Sequence, residues 1–215
     1  MKQRDHLDVR NTILKAAKAL FVAQGYKKTT IRQIVEKSGI LTGSIYHFFT
    51  NKEDIFQSLI STLFRQCNYF ISQRFSHESP AFRYAALCIV ECKAVEMNDI
   101  IRETYYEAYT SPLIFEKSVE YLTEMTMEIF GPTISYDRED VFRRTMIIKS
   151  AMRSYVMHFS FRHSVETDKY EALFLEMALH LLGVPGEEIK QVQEGISRHI
   201  EDIRGIADTM IHTVQ

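Results

Sequence analysis

Tryptophan is absent, and only four prolines and eight glycines punctuate 215 residues. Turns are therefore few and the elements long, which argues against a many-turned β sandwich or barrel and for long helices. The three cysteines, Cys67, Cys88 and Cys92, are an odd number in a chain large enough to fold without staples. That excludes a disulfide framework and points to a reducing cytoplasm. No apolar run approaches the roughly 20 residues that span a bilayer. The charged start, Met1-Lys2-Gln3-Arg4-Asp5-His6, lacks the apolar stretch of a secretory signal, so a soluble, cytoplasmic protein without a membrane partner is expected. Also missing are a Gly-rich phosphate loop, a nucleophile elbow, metal-spaced His and Cys, and carboxylates placed as acid and base. No catalytic residue, metal or cofactor is nominated, and an enzyme is not expected.

What is present is ordinary globular composition, 46% hydrophobic and 25% charged, with an uneven charge distribution. Residues 1–60 hold ten Lys and Arg against five Asp and Glu, a net of +5; the remainder holds 16 against 23, a net of −7. A basic head on an acidic body suits a chain that offers one end to a polyanion.

In the head, Val9, Ile13, Ala16, Ala17, Leu20 and Phe21 recur at helical spacing, and Gly25 stands where a left-handed cap would end a helix spanning 9–24. Thr30-Ile31-Arg32-Gln33 reads as a capping box opening a second helix over 31–37. Ser38-Gly39-Ile40 then makes a tight turn into a short amphipathic stretch over 42–49. Two helices joined so closely form a helix-turn-helix, in which the second helix meets base edges and its surroundings meet phosphates. Thr42 and Ser44 are short hydrogen-bonding side chains, Gly43 permits close backbone approach, and Tyr46 and His47 reach further, while Ile45 and Phe49 should face inward. Thr50-Asn51-Lys52-Glu53 is a second capping signature, which would set Lys52 beside a helix start, ready for a phosphate.

The segment TTIRQIVEKSGILTGSIYHFFTNKEDIF, Thr29 to Phe56, resembles the signature of the TetR family of transcription regulators. The resemblance implies base or phosphate contacts from Thr42, Gly43, Ser44, Tyr46, His47 and Lys52, and phosphate contacts from Thr29, Thr30 and Arg32. It further implies a homodimer on a palindromic double-stranded DNA operator, acting as a repressor released by a small-molecule effector. Two positions depart from the pattern: Leu41 replaces a capping Ser or Thr, and Phe48 replaces a phosphate-binding His or Tyr. The competing reading is a helical protein-interaction module without specific DNA binding.

The expected architecture is all-α: a three-helix helix-turn-helix domain over 1–52, then a larger helical effector-binding and dimerisation domain over 53–215. Helical periodicity predicts elements near 53–76, 80–97, 99–110, 112–130, 138–163, 167–183 and 186–213, with Pro80, Pro112, Pro132 and Pro185 at the breaks. For an effector, the aromatic and sulfur side chains Phe64, Tyr69, Phe82, Tyr84, Tyr105, Tyr109, Tyr121, Met125, Met152 and Tyr155 are candidates, ordinary core packing being the alternative.

For a dimer seam, Val141, Phe142, Thr145, Ile148, Met152, Tyr155 and Phe159 trace one helix face. Tyr170, Leu173, Phe174, Met177 and Leu181 trace the next. Two such helices from each subunit would form a four-helix contact. The alternative is that these faces pack within the monomer, with Met146, Ile147, Ala151 and Val156 hinting at a second face. The four-residue spacing of Cys88 and Cys92 suits buried free thiols better than a redox pair. Glu116, Glu120, Glu124 and Glu128 suit a solvated stripe, and His158 and His163 share no helix face. The segment 187–213 extends past the usual end of the family and has no role assigned by the sequence.

Overall fold

The computed structural model describes residues 2–162 and 167–214, which form eleven α-helices and one 3-10 turn, without strand among the described residues. Helix α1 (Lys2–Gln24) starts earlier than its apolar stripe, because nothing in the polar turns before Val9 breaks a helix. It ends at Gly25, whose φ of 81° is the left-handed conformation expected there. Helix α2 (Ile31–Ser38) opens with the predicted box: the Thr30 hydroxyl accepts from the Gln33 amide, and the Gln33 side chain accepts from the Thr30 amide at 2.8 Å. Gly39, at φ 68°, turns the chain into α3 (Thr42–Phe48), whose first turn has no side-chain cap at Leu41, as its apolar side chain dictates.

Helix α4 (Lys52–Arg74) begins one residue before the expected start. Its cap pairs Asn51, not Thr50, with the third helical residue: Asn51 accepts from the Asp54 amide at 2.8 Å while the Asp54 carboxylate accepts from the Thr50 amide. The four helices close on Ile13, Ala17, Phe21, Ile34, Ile45, Phe49, Ile55 and Phe56. Helix α4 then continues into the body, where Phe64, Cys67 and Ile71 are buried, so one uninterrupted helix belongs to both head and body.

The body is built around α5 (Pro80–Met97), in which every residue from Tyr84 to Val95 is buried. A helix apolar on nearly all sides has to be wrapped by its neighbours. It touches α4, α6 (Asp99–Thr110), α7 (Pro112–Phe130), α8 (Arg138–Arg162) and α9 (Thr167–Leu181). Ser79 and Ser111 cap α5 and α7, each followed by proline in the first turn, where a missing N–H costs nothing.

The single helix expected over 186–213 is two, α10 (Gly186–Arg198) and α11 (Ile200–Val214), broken at His199. Both lie along α5, but α10 also meets α9 whereas α11 meets α4, and one straight helix cannot follow both courses. The His199 ring sits edge-on to Phe75 and Phe82, and Gly195 admits the Phe82 ring where a Cβ would come within 3.0 Å of it. Arg74 pairs with Asp202 at 2.8 Å across the same junction. The segment without an assigned role is thus the outer cover of the central helix. No helix among the described residues is long and apolar enough to cross a membrane.

Candidate nucleic-acid interface and the interior of the body

Helix α3 turns Ile45, with Phe49 just beyond it, into the head core and leaves Thr42, Gly43, Ser44, Tyr46 and His47 exposed, Tyr46 to 53%. These side chains share one outward face of a helix fixed at both ends by glycine- and asparagine-based turns. Thr30 is exposed but holds its capping box, and Arg32, also exposed, pairs with Glu36 at 2.9 Å. A phosphate would have to compete for that guanidinium.

Two expected contacts are corrected. The Lys52 ammonium donates to the carbonyls of Tyr26 and Thr29, both at 2.9 Å, and lies 4.0 Å above the Tyr26 ring, so it clamps the α1–α2 turn instead of standing open to a phosphate. Burial draws its pKa down, with Glu53 and Glu107 opposing that shift. Thr29 is buried, its hydroxyl donating to the Gly25 carbonyl at 2.9 Å. The chain leaving α3 brings the start of α4 beneath that turn, a long-range return that capping patterns do not encode.

Tyr26, passed over in the sequence, is the centre of this junction. Its ring meets Phe21 at 5.5 Å and Phe56 at 4.5 Å, and its hydroxyl donates to Glu53 at 2.8 Å. Lys27 crosses to the body, pairing with Glu107 of α6 at 2.8 Å and lying over Tyr106. Partners so far apart in sequence leave no local signal.

Of the residues proposed for an effector, the structure brings Phe64, Tyr105 and Tyr109 together. They line a cavity of about 20 Å³ with Ile60, Phe115, Ser118, Leu122 and Lys149. The others go elsewhere. Tyr69 is 60% exposed and meets Tyr121 and Met125 in an outer groove between α4 and α7. Tyr84 packs on Phe130, and Phe82 on Phe75. Met152 is buried against Cys92, their sulfurs 3.9 Å apart, and Tyr155 stacks on Tyr170 at 4.7 Å while its hydroxyl donates to Glu96. A separate apolar cleft of about 140 Å³ lies between α1 and α4, lined by Phe21, Phe56, Leu59 and Leu63 with Thr104 of α6.

Charged side chains missed by the sequence reading occupy the body's centre. Lys149 donates to Glu91 at 2.6 Å, both buried, and Lys93 bridges Glu171 at 2.7 Å and Glu96 at 3.2 Å. Burial pushes the Glu91 carboxyl up against the pull of Lys149, and pushes Glu171 up to about 7 against the pull of Lys93. Cys67, Cys88 and Cys92 are free and buried, and burial pushes the Cys88 thiol up to about 12, the setting of an inert packing cysteine. The glutamates at 116, 120, 124 and 128 are solvated, as is His158; His163 lies outside the described residues.

The seam expectation is corrected in part. Val141, Thr145, Ile148, Met152, Tyr155 and Phe174 are buried within their own monomer, so Tyr155 and Phe174 are withdrawn from a partner. Phe142, Phe159, Met177 and Leu181 are half-buried. The outward apolar residues are Met146, Ile147 and Phe161 (70% exposed) on α8, and Leu173 (67%) on α9. The more continuous stripe was claimed by the monomer core together with Val156 of the sparser one, of which Ala151 is half-buried and only Met146 and Ile147 face solvent.

Residues 13–59 match the profile described as "Bacterial regulatory proteins, tetR family". An uncharacterized HTH-type transcriptional regulator of Bacillus subtilis (strain 168), YfiR, is 38% identical over 60 residues, 27% of this chain and 29% of that protein. The HTH-type transcriptional repressor KstR2 of Mycobacterium tuberculosis (strain ATCC 25618 / H37Rv) is 41% identical over 51 residues, 24% of this chain and 26% of that protein. The matched segments thus span under a third of these relatives. Across almost the whole chain the fold resembles that of RolR in complex with resorcinol, with a TM-score of 0.63 and 15% identity, covering 89% of this chain and 95% of that one. It also resembles Thermus thermophilus FadR in complex with lauroyl-CoA, with a TM-score of 0.57 and 18% identity, covering 80% and 92%. At such identities the likeness is one of fold.

Proposed function

We propose, from the premise that this chain belongs to the TetR family by its amino-terminal domain, that it is a dimeric DNA-binding transcription regulator, a cytoplasmic repressor released from a palindromic operator by a small molecule. The observation that carries this is the outward set Thr42, Gly43, Ser44, Tyr46 and His47 on a short helix anchored by Ile45 and Phe49, within the segment that matches the family. Thr30 and Arg32 flank it as phosphate contacts, whereas Thr29 and Lys52 support the turn behind it. A division at 1–52 and 53–215 serves as a functional one only, since α4 runs through it.

The outward apolar residues of α8 and α9 support a homodimer seam, which would set two heads side by side on a two-fold site. The interior cavity at Phe64, Tyr105 and Tyr109 is the effector site in this reading. Structural neighbours holding resorcinol and lauroyl-CoA support a small-molecule effector, and two ligands so unlike each other leave the site and the ligand of this chain to its own residues. A ligand moves the equilibrium only by favouring one arrangement of heads over another. Helix α6 is placed for that: it lines the cavity through Tyr105 and Tyr109 and holds the head through Glu107 and Lys27.

The test is selection of genomic fragments by the purified protein at physiological salt, with sequencing. An enriched inverted repeat, bound with a steep salt dependence and lost on Tyr46→Ala without loss of folding, is expected. Salt-independent failure to enrich any fragment would instead favour a protein-interaction module.

A further inference from the structure

We infer that the body's ligand is a small aromatic molecule carrying an un-ionised hydroxyl group, recognised by Lys149 and Ser118; this rests on the interior being the effector site. The walls set the aromatic part. Phe64 stands edge-on to Tyr105 at 6.3 Å, Tyr105 stacks with Tyr109 at 6.1 Å, and Tyr109 meets Phe115 at 5.8 Å, so a ring entering here finds partners in both edge and face orientations.

The polar part follows from hydrogen bonds left unspent. An ammonium carries three donors, and Lys149, buried and lining the cavity, makes one hydrogen bond, to Glu91. Ser118, also lining the cavity, spends its proton on the Gln57 carbonyl oxygen at 3.1 Å, and the Gln57 amide orientation is set by donation to Ser61. Ser118 therefore presents lone pairs. Both residues line the one cavity, where a hydroxyl group would find a donor in Lys149 and an acceptor in Ser118; a carboxylate has no proton for Ser118, and a hydrocarbon offers neither bond.

Charge balance selects the ionisation state. Glu91 and Lys149 already neutralise each other. A carboxylate ligand would bury a net negative charge and an amine a net positive one, each at heavy desolvation cost. A hydrocarbon would leave the Lys149 donors unmet. Because about 20 Å³ holds no more than a water molecule, a ring enters only by displacing Phe115 or the α6 wall. That movement pulls on the helix bearing Glu107, the head's ion-pair partner.

The experiment is calorimetric titration of the full chain at pH 7 with four single-ring probes: phenol, toluene, benzoate and benzylamine. Phenol is expected to bind at least about tenfold more tightly than the other three, one good hydrogen bond's worth of discrimination. Ser118→Ala and the charge-neutral double variant Glu91→Gln/Lys149→Met should each shrink the ratio of phenol to toluene affinity. Toluene binding as tightly as phenol, or benzoate or benzylamine binding best, would overturn the hydroxyl assignment and leave the interior site standing. Saturable binding by none of the four would overturn the interior site itself.

Discussion

In the head, Lys28 and Lys37 stand exposed outside a small core of Ile13, Ile34, Ile45 and Phe49, whereas the body takes Glu91, Lys93, Lys149 and Glu171 into its centre. The difference separates two uses of charge. Exposed cations add little to folding but remain available to a polyanion. Buried ions are neutralised in place, and removing one partner strands the other. A substitution that costs the head its ligand should therefore leave its fold alone, and one that empties a buried pair in the body should do the reverse.

Lys149→Met gives the sharpest version of the contrast. It strands Glu91 and is expected to cost about 3–5 kcal/mol in denaturant unfolding. Adding Glu91→Gln should recover most of that loss, and a single variant as stable as the parent would break the comparison.

Glu171 is next. Its folded pKa of about 7 lies above its ordinary value of 4.5, so the folded state holds the proton more tightly than the unfolded one. Its contribution is complete below about pH 4.5 and is lost as pH rises through about 7, on the order of 1–3 kcal/mol. Glu171→Gln should flatten the pH dependence of the melting temperature over that window; an unchanged slope would place the titration elsewhere.

In the head, Thr30→Ala removes one side of a capping box and should cost about 1 kcal/mol, measured by chemical denaturation. The smallest effect on folding is expected from Arg32→Ala, within about 0.5 kcal/mol. The same variant should weaken DNA binding and reduce the salt slope by about one. Loss of stability without loss of affinity would move Arg32 from the interface to the scaffold.

Much of the head was legible because its signals are local. Gly25 and Gly39 require positive φ, Thr30 and Gln33 are three apart, and Ile45 and Phe49 are one helical turn apart. The missed parts of the same site are those that depend on return of the chain: Lys52 reaching the Tyr26 and Thr29 carbonyls, and Lys27 reaching Glu107. In the body the breaks at Pro80 and Pro112 were legible for the same local reason. Which of the aromatics meet at a cavity was not, since spacing alone does not distinguish Tyr105, at the cavity, from Tyr69, 60% exposed.

The sequence by itself determined the helices, most of their ends and which residues of α3 face outward, because caps, glycine turns and 3.6-residue periodicity act within a few residues. Tertiary structure alone decided which of two apolar stripes on α8 turned inward, where the last helix broke, and which charges met in the interior. Those outcomes depend on neighbours brought together from distant parts of the chain, as when Glu91 and Lys149 meet 58 residues apart, and burial makes each pairing count.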